Sequence, residues 1–278
     1  MRILALAILC LVALPGCVFD DFNDVGGIFT PKTPTEAARD ALDPYSPDLR
    51  REGIVLLSNA TFGGAEIYLE MYRTYVADET DPLVRAAAIA ALGRHGTPED
   101  AMRIVPWLDP EVSRSANVRW VAAKALQRLH NAQAVEPLID AMTNSLEEGE
   151  VKAAAAIALG QYQEDRVFQA LLMALDDRRL SVNLDAAQSL AMLTGESFGI
   201  DRVAWQRWYQ GLADKSTLFS GHRDYYYPTY ARNKLWFEYI AFWLQQNHET
   251  PMQPAGLRPS TPERKTWDED TPPAPDAS

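Results

Sequence analysis

The chain repeats itself, and that periodicity limits its possible folds more than any other feature. Five starts align on an aliphatic residue followed by a mostly basic one. They are Leu49-Arg50, Val84-Arg85, Val118-Arg119, Val151-Lys152 and Val182-Asn183, at spacings of 35, 34, 33 and 31. Eight residues after each start sits a leucine: Leu57, Leu92, Leu126, Leu159 and Leu190. Two helical turns separate the members of each couple, so they share one helix face. Ala-rich sequence lies between them, a short polar turn follows, and a second apolar run comes next, over 65–76, 100–108, 135–142 and 167–175. Repeats of this length mark stacked architectures. A helix this short cannot bury its apolar stripe alone. A partner helix covers part of it and the neighbouring pair covers the rest. The pattern predicts an all-α fold of about five helical pairs, with alanines letting helix axes approach closely.

Local punctuation agrees. Thr33-Pro34-Thr35-Glu36 reads as a helix start with a capping box, and Asp43-Pro44 stops that short helix near Leu42. Thr97, Pro98 and Asp100 repeat the same logic. A further helix carrying Trp205 and Trp208 begins after Gly199-Ile200-Asp201. Residues 212–230 read as loop, and 233–246 as an aromatic helix. Residues 249–278 hold seven prolines, six acids and three bases, a composition expected to stay disordered.

The N-terminus reads as an address. Arg2 precedes an unbroken apolar run over 3–13, too short to span a bilayer but suited to an export signal. Leu14-Pro15-Gly16-Cys17 follows. Cys10 falls in the segment that would be removed, which leaves Cys17 as the single thiol of the mature chain, with no disulfide to form within it. Lys and Arg total 26 against 38 Asp and Glu, a net charge of −12 that becomes −13 when Arg2 is removed. That charge argues against nucleic acid as a partner, because phosphate binding needs a basic footprint.

Two resemblances follow from these residues. Leu14-Pro15-Gly16-Cys17 resembles a bacterial lipobox, which implies lipidation of Cys17 and cleavage just before it. Val18 next to the cysteine is not acidic, which tilts the destination slightly toward the outer over the inner membrane. Asp81-Pro82-Leu83-Val84-Arg85-Ala86-Ala87-Ala88 through Ala91-Leu92-Gly93 resembles the first helix of a HEAT-like repeat, of the short phycobilisome-lyase-like kind. The likeness spans about 47–209, with a degenerate first repeat and Asn183 in place of the basic residue in the fifth. The whole layout is similar to bacterial HEAT-repeat lipoproteins of uncharacterised function. It implies a right-handed α-α solenoid divided as follows: signal peptide 1–16, tether 17–32, solenoid 33–210, aromatic helical cap 211–248, and a Pro-rich acidic tail 249–278.

Among the histidines, His95 and His130 read as polar turn residues. The one His-Glu pair, His248-Glu249, is too little for the repeated pairs with which one HEAT-like enzyme family binds iron. A pigment-lyase role fits poorly with export, and a DNA-glycosylase role fits poorly with the acidic charge. The basic residues Arg50, Arg85, Arg119 and Lys152 read as ion-pair partners of acids in the preceding turn, with Asp48, Asp81 and Glu150 well placed. Trp205, Trp208, Trp236 and Trp243 read as a cap over the last repeat. In the solenoid geometry the second helices line the concave face. This makes Arg73, Arg103, Trp107, Glu136 and Asp140 candidates for protein binding, with Trp107 as an anchor. No catalytic constellation, metal or cofactor is expected. The reading is a lipid-anchored scaffold for an envelope protein. A soluble adaptor, or an envelope enzyme with a small-molecule site on the solenoid, stays open as an alternative.

Overall fold

The computed structural model describes residues 32–229 and 251–257. Eleven α-helices lie in these residues, with no strand and one isolated parallel bridge, Leu129 to Ala255. The signal, the tether up to residue 31, Trp236, Trp243 and the tail beyond 257 lie outside the described residues.

Helix α1 (Pro34–Ala41) starts as the sequence predicts. The Thr33 N–H donates to the Glu36 carboxylate at 2.7 Å, and Glu36 N–H returns to Thr33 Oγ1 at 3.3 Å. Five pairs then follow. The first helices are α2 (Pro47–Asn59), α4 (Pro82–His95), α6 (Ala116–Leu126), α8 (Gly149–Leu159) and α10 (Leu180–Thr194). The second elements are α3 (Glu66–Asp78), a broken segment containing α5 (Ala101–Ile104), α7 (Val135–Thr143), α9 (Asp165–Ala174) and α11 (Arg202–Gly211).

The predicted couples form the core. Val84, Val118, Val151 and Val182 are buried, and so are all five leucines at the eighth position. Leu49 is half-buried, as befits the degenerate first repeat at the end of the stack, where α1 packs onto α2. The first helices pack on one another more closely than the second elements do. Small residues permit this. A methyl group built onto Gly93 of α4 would sit 2.7 Å from the Cα of Ala125 in α6, closer than atoms pack.

One predicted helix is not continuous. Residues 98–108 form a 3-10 turn (Pro98–Asp100), the single α turn α5, and a second 3-10 stretch (Val105–Leu108). Pro106 is the cause. It has no N–H for the bond to the carbonyl four residues back, and its ring crowds that turn.

The basic ladder exists, but its acids come from a different place. Arg50 pairs with Glu79 (2.9 and 3.2 Å), Arg119 with Glu147 (2.7 and 2.8 Å), and Lys152 with Asp177. Each acid lies 25 to 29 residues downstream, in the loop leading into the next pair. The expected acids are otherwise placed. Asp81 is engaged as the N-cap of α4, accepting from Leu83 and Val84 N–H groups at 2.8 and 3.1 Å. Asp48 meets Arg51 at 3.4 Å, and Glu150 is exposed in the first turn of α8. At the position where Arg85 would find its acid stands Ser113. Arg85 donates to the Glu79 carbonyl, as Arg119 does to Ser113 O, and in place of an acid it has Trp107, 3.8 Å from the ring centroid. Asn183, where the basic residue is replaced, donates to the Leu175 carbonyl at the end of α9.

After α11 the chain turns back. Leu218, Tyr225 and Tyr227 are buried. Residues 251–257, expected to be part of a disordered tail, pack against the turns of the solenoid. Ala255 N–H donates to Arg128 O, and His130 N–H to Ala255 O, both at 2.8 Å. The tail expectation is corrected over this stretch. Composition alone could not show that the turns offer backbone partners to it.

Candidate interaction face

The second elements expose one side to solvent. The structure places the five candidate residues there in different situations. Arg73 of α3 is committed to neighbours. Its Nε and Nη2 bond the two Asp100 oxygens at 2.8 and 3.0 Å, and Nη1 bonds Glu66 at 2.5 Å. Asp100 is buried, which opposes its ionisation. The Arg73 hydrogen bonds and the Thr97 N–H (3.0 Å) outweigh this and hold its carboxyl below the usual range. Arg103 leans on the same carboxylate at 3.4 Å with a largely exposed side chain. Glu136 pairs with Arg166 at 3.1 Å across to α9. Trp107 is half-buried under the Arg85 guanidinium.

Asp140 is different. It is exposed on α7, and no cation pairs with it among the described residues. It lines a groove of about 480 Å³ between the 3-10 stretch 105–108 and α7. Val105, Pro106 and Leu108 form one wall, Pro137 and Ala141 the other, with the carboxylates of Asp109 and Asp140 among them. The Asp109 carboxylate accepts the Glu111 N–H at 2.8 Å and has no basic partner among the described residues. The groove runs along the stretch where Pro106 interrupts the second helix of this repeat. Trp107, the expected anchor, does not line it. The sequence signal for the groove is the proline set Pro106, Pro110 and Pro137, read as shape and not as composition. A second cavity of about 300 Å³ lies one repeat on, between Met142 and Met173, and there Lys152 and Asp177 neutralise each other.

At the C-terminal end, Trp205 is buried, with its indole N–H donating to Gly199 O at 2.8 Å. Phe198 meets it edge-on at 4.9 Å, and Trp208 at 6.0 Å. Phe168 of α9 stacks on Tyr209 at 5.1 Å. The aromatic residues thus join α11 to the preceding pair.

Of the histidines in the described residues, His95 ends α4, and His130 and His222 lie in the loops between helices; His248 lies outside them. His95 Nε2 lies 2.7 Å from Ser58 O. His130 stacks on Tyr162 at 4.8 Å, with Nδ1 3.1 Å from Gln161 Oε1, and burial pushes its pKa down. His222 Nδ1 lies 2.9 Å from Phe219 O. Among the described residues no group of three His, Cys, Asp or Glu could hold a metal ion. No helix there is long and apolar enough to cross a membrane.

Comparison with known proteins gives a partial match. Residues 105–191 match the family model described as HEAT repeats. This stretch runs from the 3-10 segment of the second pair into α10. Among solved structures, computationally designed armadillo repeat proteins for modular peptide recognition share 16% identity over 67% of this chain and 95% of theirs, with a TM-score of 0.42. No curated protein matches. By its helical pairs the chain is an all-α solenoid, and within it residues 105–191 are similar to HEAT repeats.

Proposed function

We propose that the chain is a lipid-anchored helical-repeat scaffold that holds another protein at the bacterial cell envelope, without catalysing a reaction. The observation that carries the binding half is the groove beside Asp140. It offers apolar walls and two carboxylates that lack cationic partners among the described residues. Complementary charge fixes register and suppresses wrong partners. A partner segment presenting an apolar side chain next to a lysine or arginine suits this groove.

The anchoring half rests on Leu14-Pro15-Gly16-Cys17 after its apolar run. A mature chain of this negative charge gains nothing from an anionic membrane surface, so two or more acyl chains on Cys17 would do the holding. The resemblance to bacterial lipoproteins with phycobilisome-lyase-like repeats supports the same address, with the outer membrane favoured.

The test compares tagged full-length protein with Cys17→Ala and Asp140→Lys in the native host, after cross-linking intact cells and fractionating them. The expected result is one envelope protein enriched with the wild type from membranes. Asp140→Lys stays in the membrane and loses that protein, whereas Cys17→Ala leaves the membrane. Unchanged membrane association of Cys17→Ala sinks the anchor. Undiminished capture by Asp140→Lys sinks the groove.

A further inference from the structure

A helix leaves its last four carbonyls without intrahelical donors. In a solenoid of helical pairs those carbonyls gather along one edge, where each first helix turns into its second. Here part of that edge is occupied by the chain's own C-terminal stretch. Arg223 N–H donates to Met192 O at 2.8 Å, and its guanidinium donates to Gly195 O at 3.0 Å, both at the end of α10. A cation there also meets the negative end of the helix dipole. Tyr225 and Leu257 help enclose a space of about 110 Å³ with Gly160 and Gln161 of the fourth pair and Leu193 of the fifth. Tyr227 lies under the Arg128 guanidinium at 4.5 Å. Ala255 bonds to Arg128 and His130 on both sides of Leu129, after α6. Gly256 has φ +84°, and a methyl group there would sit 2.5 Å from Pro98 Cγ in the second pair. The two passes are joined to each other, Tyr227 N–H to Met252 O at 3.1 Å.

We infer that residues 218–229 and 251–257 form a strap that fastens the turns of the second to fifth pairs and fixes the spacing between them. An unstrapped solenoid flexes by small rotations at each repeat interface, since each repeat contacts only its neighbours. A segment bonded to several turns at once couples those rotations. The stretch 255–256 bridges the second and third pairs, the junction at which the ladder supplies Arg85 with no acid. The strap therefore adds ties where the stack has lost one.

Backbone hydrogen exchange on the full mature chain tests this, first in the wild type. The Ala255 and His130 amides are expected to be protected together. Exchange of Ala255 at the free-peptide rate overturns the inference without any variant. Next come Gly256→Val, which places a branched side chain at positive φ against Pro98, and Ala255→Pro, which removes the donor to Arg128. Each is expected to raise exchange at 127–131 by about tenfold or more, the equivalent of about one lost net hydrogen bond, while α9 and the helical circular dichroism stay unchanged. Release of 251–257 with unchanged protection at 127–131 shows a passenger and refutes the strap. Should both variants unfold globally, the milder Gly256→Ala supplies the comparison, and the wild-type result stands by itself.

Discussion

The Arg119–Glu147 pair gives the sharpest test of how the solenoid is held together. Both side chains are buried. Two guanidinium N–H groups meet the two carboxylate oxygens at 2.7 and 2.8 Å, and the third nitrogen donates to Ser113 O at 2.7 Å. Glu147 also accepts the Glu148 N–H at 2.7 Å. Glu147→Ala leaves a guanidinium uncompensated in the interior between α6 and α8. Breaking such a pair costs about 3–5 kcal/mol, although the intact pair adds little net stability over apolar residues of the same volume. For roughly 150–250 cooperative residues that corresponds to a loss of about 6–20 °C in Tm. The double replacement Arg119→Met with Glu147→Leu recovers most of it, so the coupling in a double-mutant cycle is large. Glu136→Ala, which breaks the exposed pair with Arg166, leaves Tm unchanged. Thermal unfolding followed by circular dichroism reads these variants, with hydrogen exchange in α6 and α8 as a local readout, because repeat arrays need not unfold in two states. A Glu147→Ala protein within about 1 kcal/mol of wild type would refute the claim that this rung is desolvated.

Three further outcomes are expected. Arg85→Leu changes stability by less than about 2 kcal/mol, against about 3–5 kcal/mol for Arg119→Leu, because Arg85 has a stacking partner in place of an acid and its buried Nε has no acceptor; urea titrations of both variants compare them. Gly93→Ala destabilises by about 1–3 kcal/mol although alanine favours helix, because its methyl group meets the Ala125 backbone; equal or higher Tm would show that the helices can separate at no cost. Burial lowers the His130 pKa and outweighs the Gln161 hydrogen bond that raises it, so the unfolded chain binds that proton more readily. Its contribution is intact above the unfolded value near 6.5 and is lost as pH falls through the depressed folded value. His130→Gln flattens the stability profile in that window, while the carboxylates held below their usual range, Glu79, Asp100 and Asp177, act only in stronger acid.

The stack was legible because its information is local and repeated. Val118 and Leu126 fall two turns apart on one face, and both are buried. Thr33 and Glu36 cap a helix within four residues. What escaped the sequence depends on chain segments that meet only after folding. The acid of each rung sits in the loop before the next pair, about a repeat away, so inspection of the preceding turn selected Asp81, whose carboxylate is needed for capping. Arg73 read as an exposed ligand contact because its partner Asp100 lies 27 residues on, across a turn. Residues 251–257 read as tail because proline-rich acidic composition says nothing about carbonyls waiting on a distant edge.

The ladder also explains where the groove lies. Arg50, Arg119 and Lys152 each tie one pair to the next through an acid in the intervening loop. The junction between the second and third pairs has Ser113 at that position, so Arg85 turns to Trp107. Trp107 lies in the 3-10 stretch where Pro106 interrupts the second helix of that repeat, and the groove beside Asp140 runs along the same stretch. A missing acid, an interrupted helix and an unfilled space thus fall at one junction. On the turn edge of that junction, Ala255 and Gly256 supply contacts to His130 and Pro98. If the groove is where a partner enters, it opens at the joint whose ladder rung lacks an acid. Loosening the strap there should weaken partner capture as strongly as Asp140→Lys does. Gly256→Val carried through the same cross-linking assay decides it: capture at the wild-type level would separate the groove from the strap.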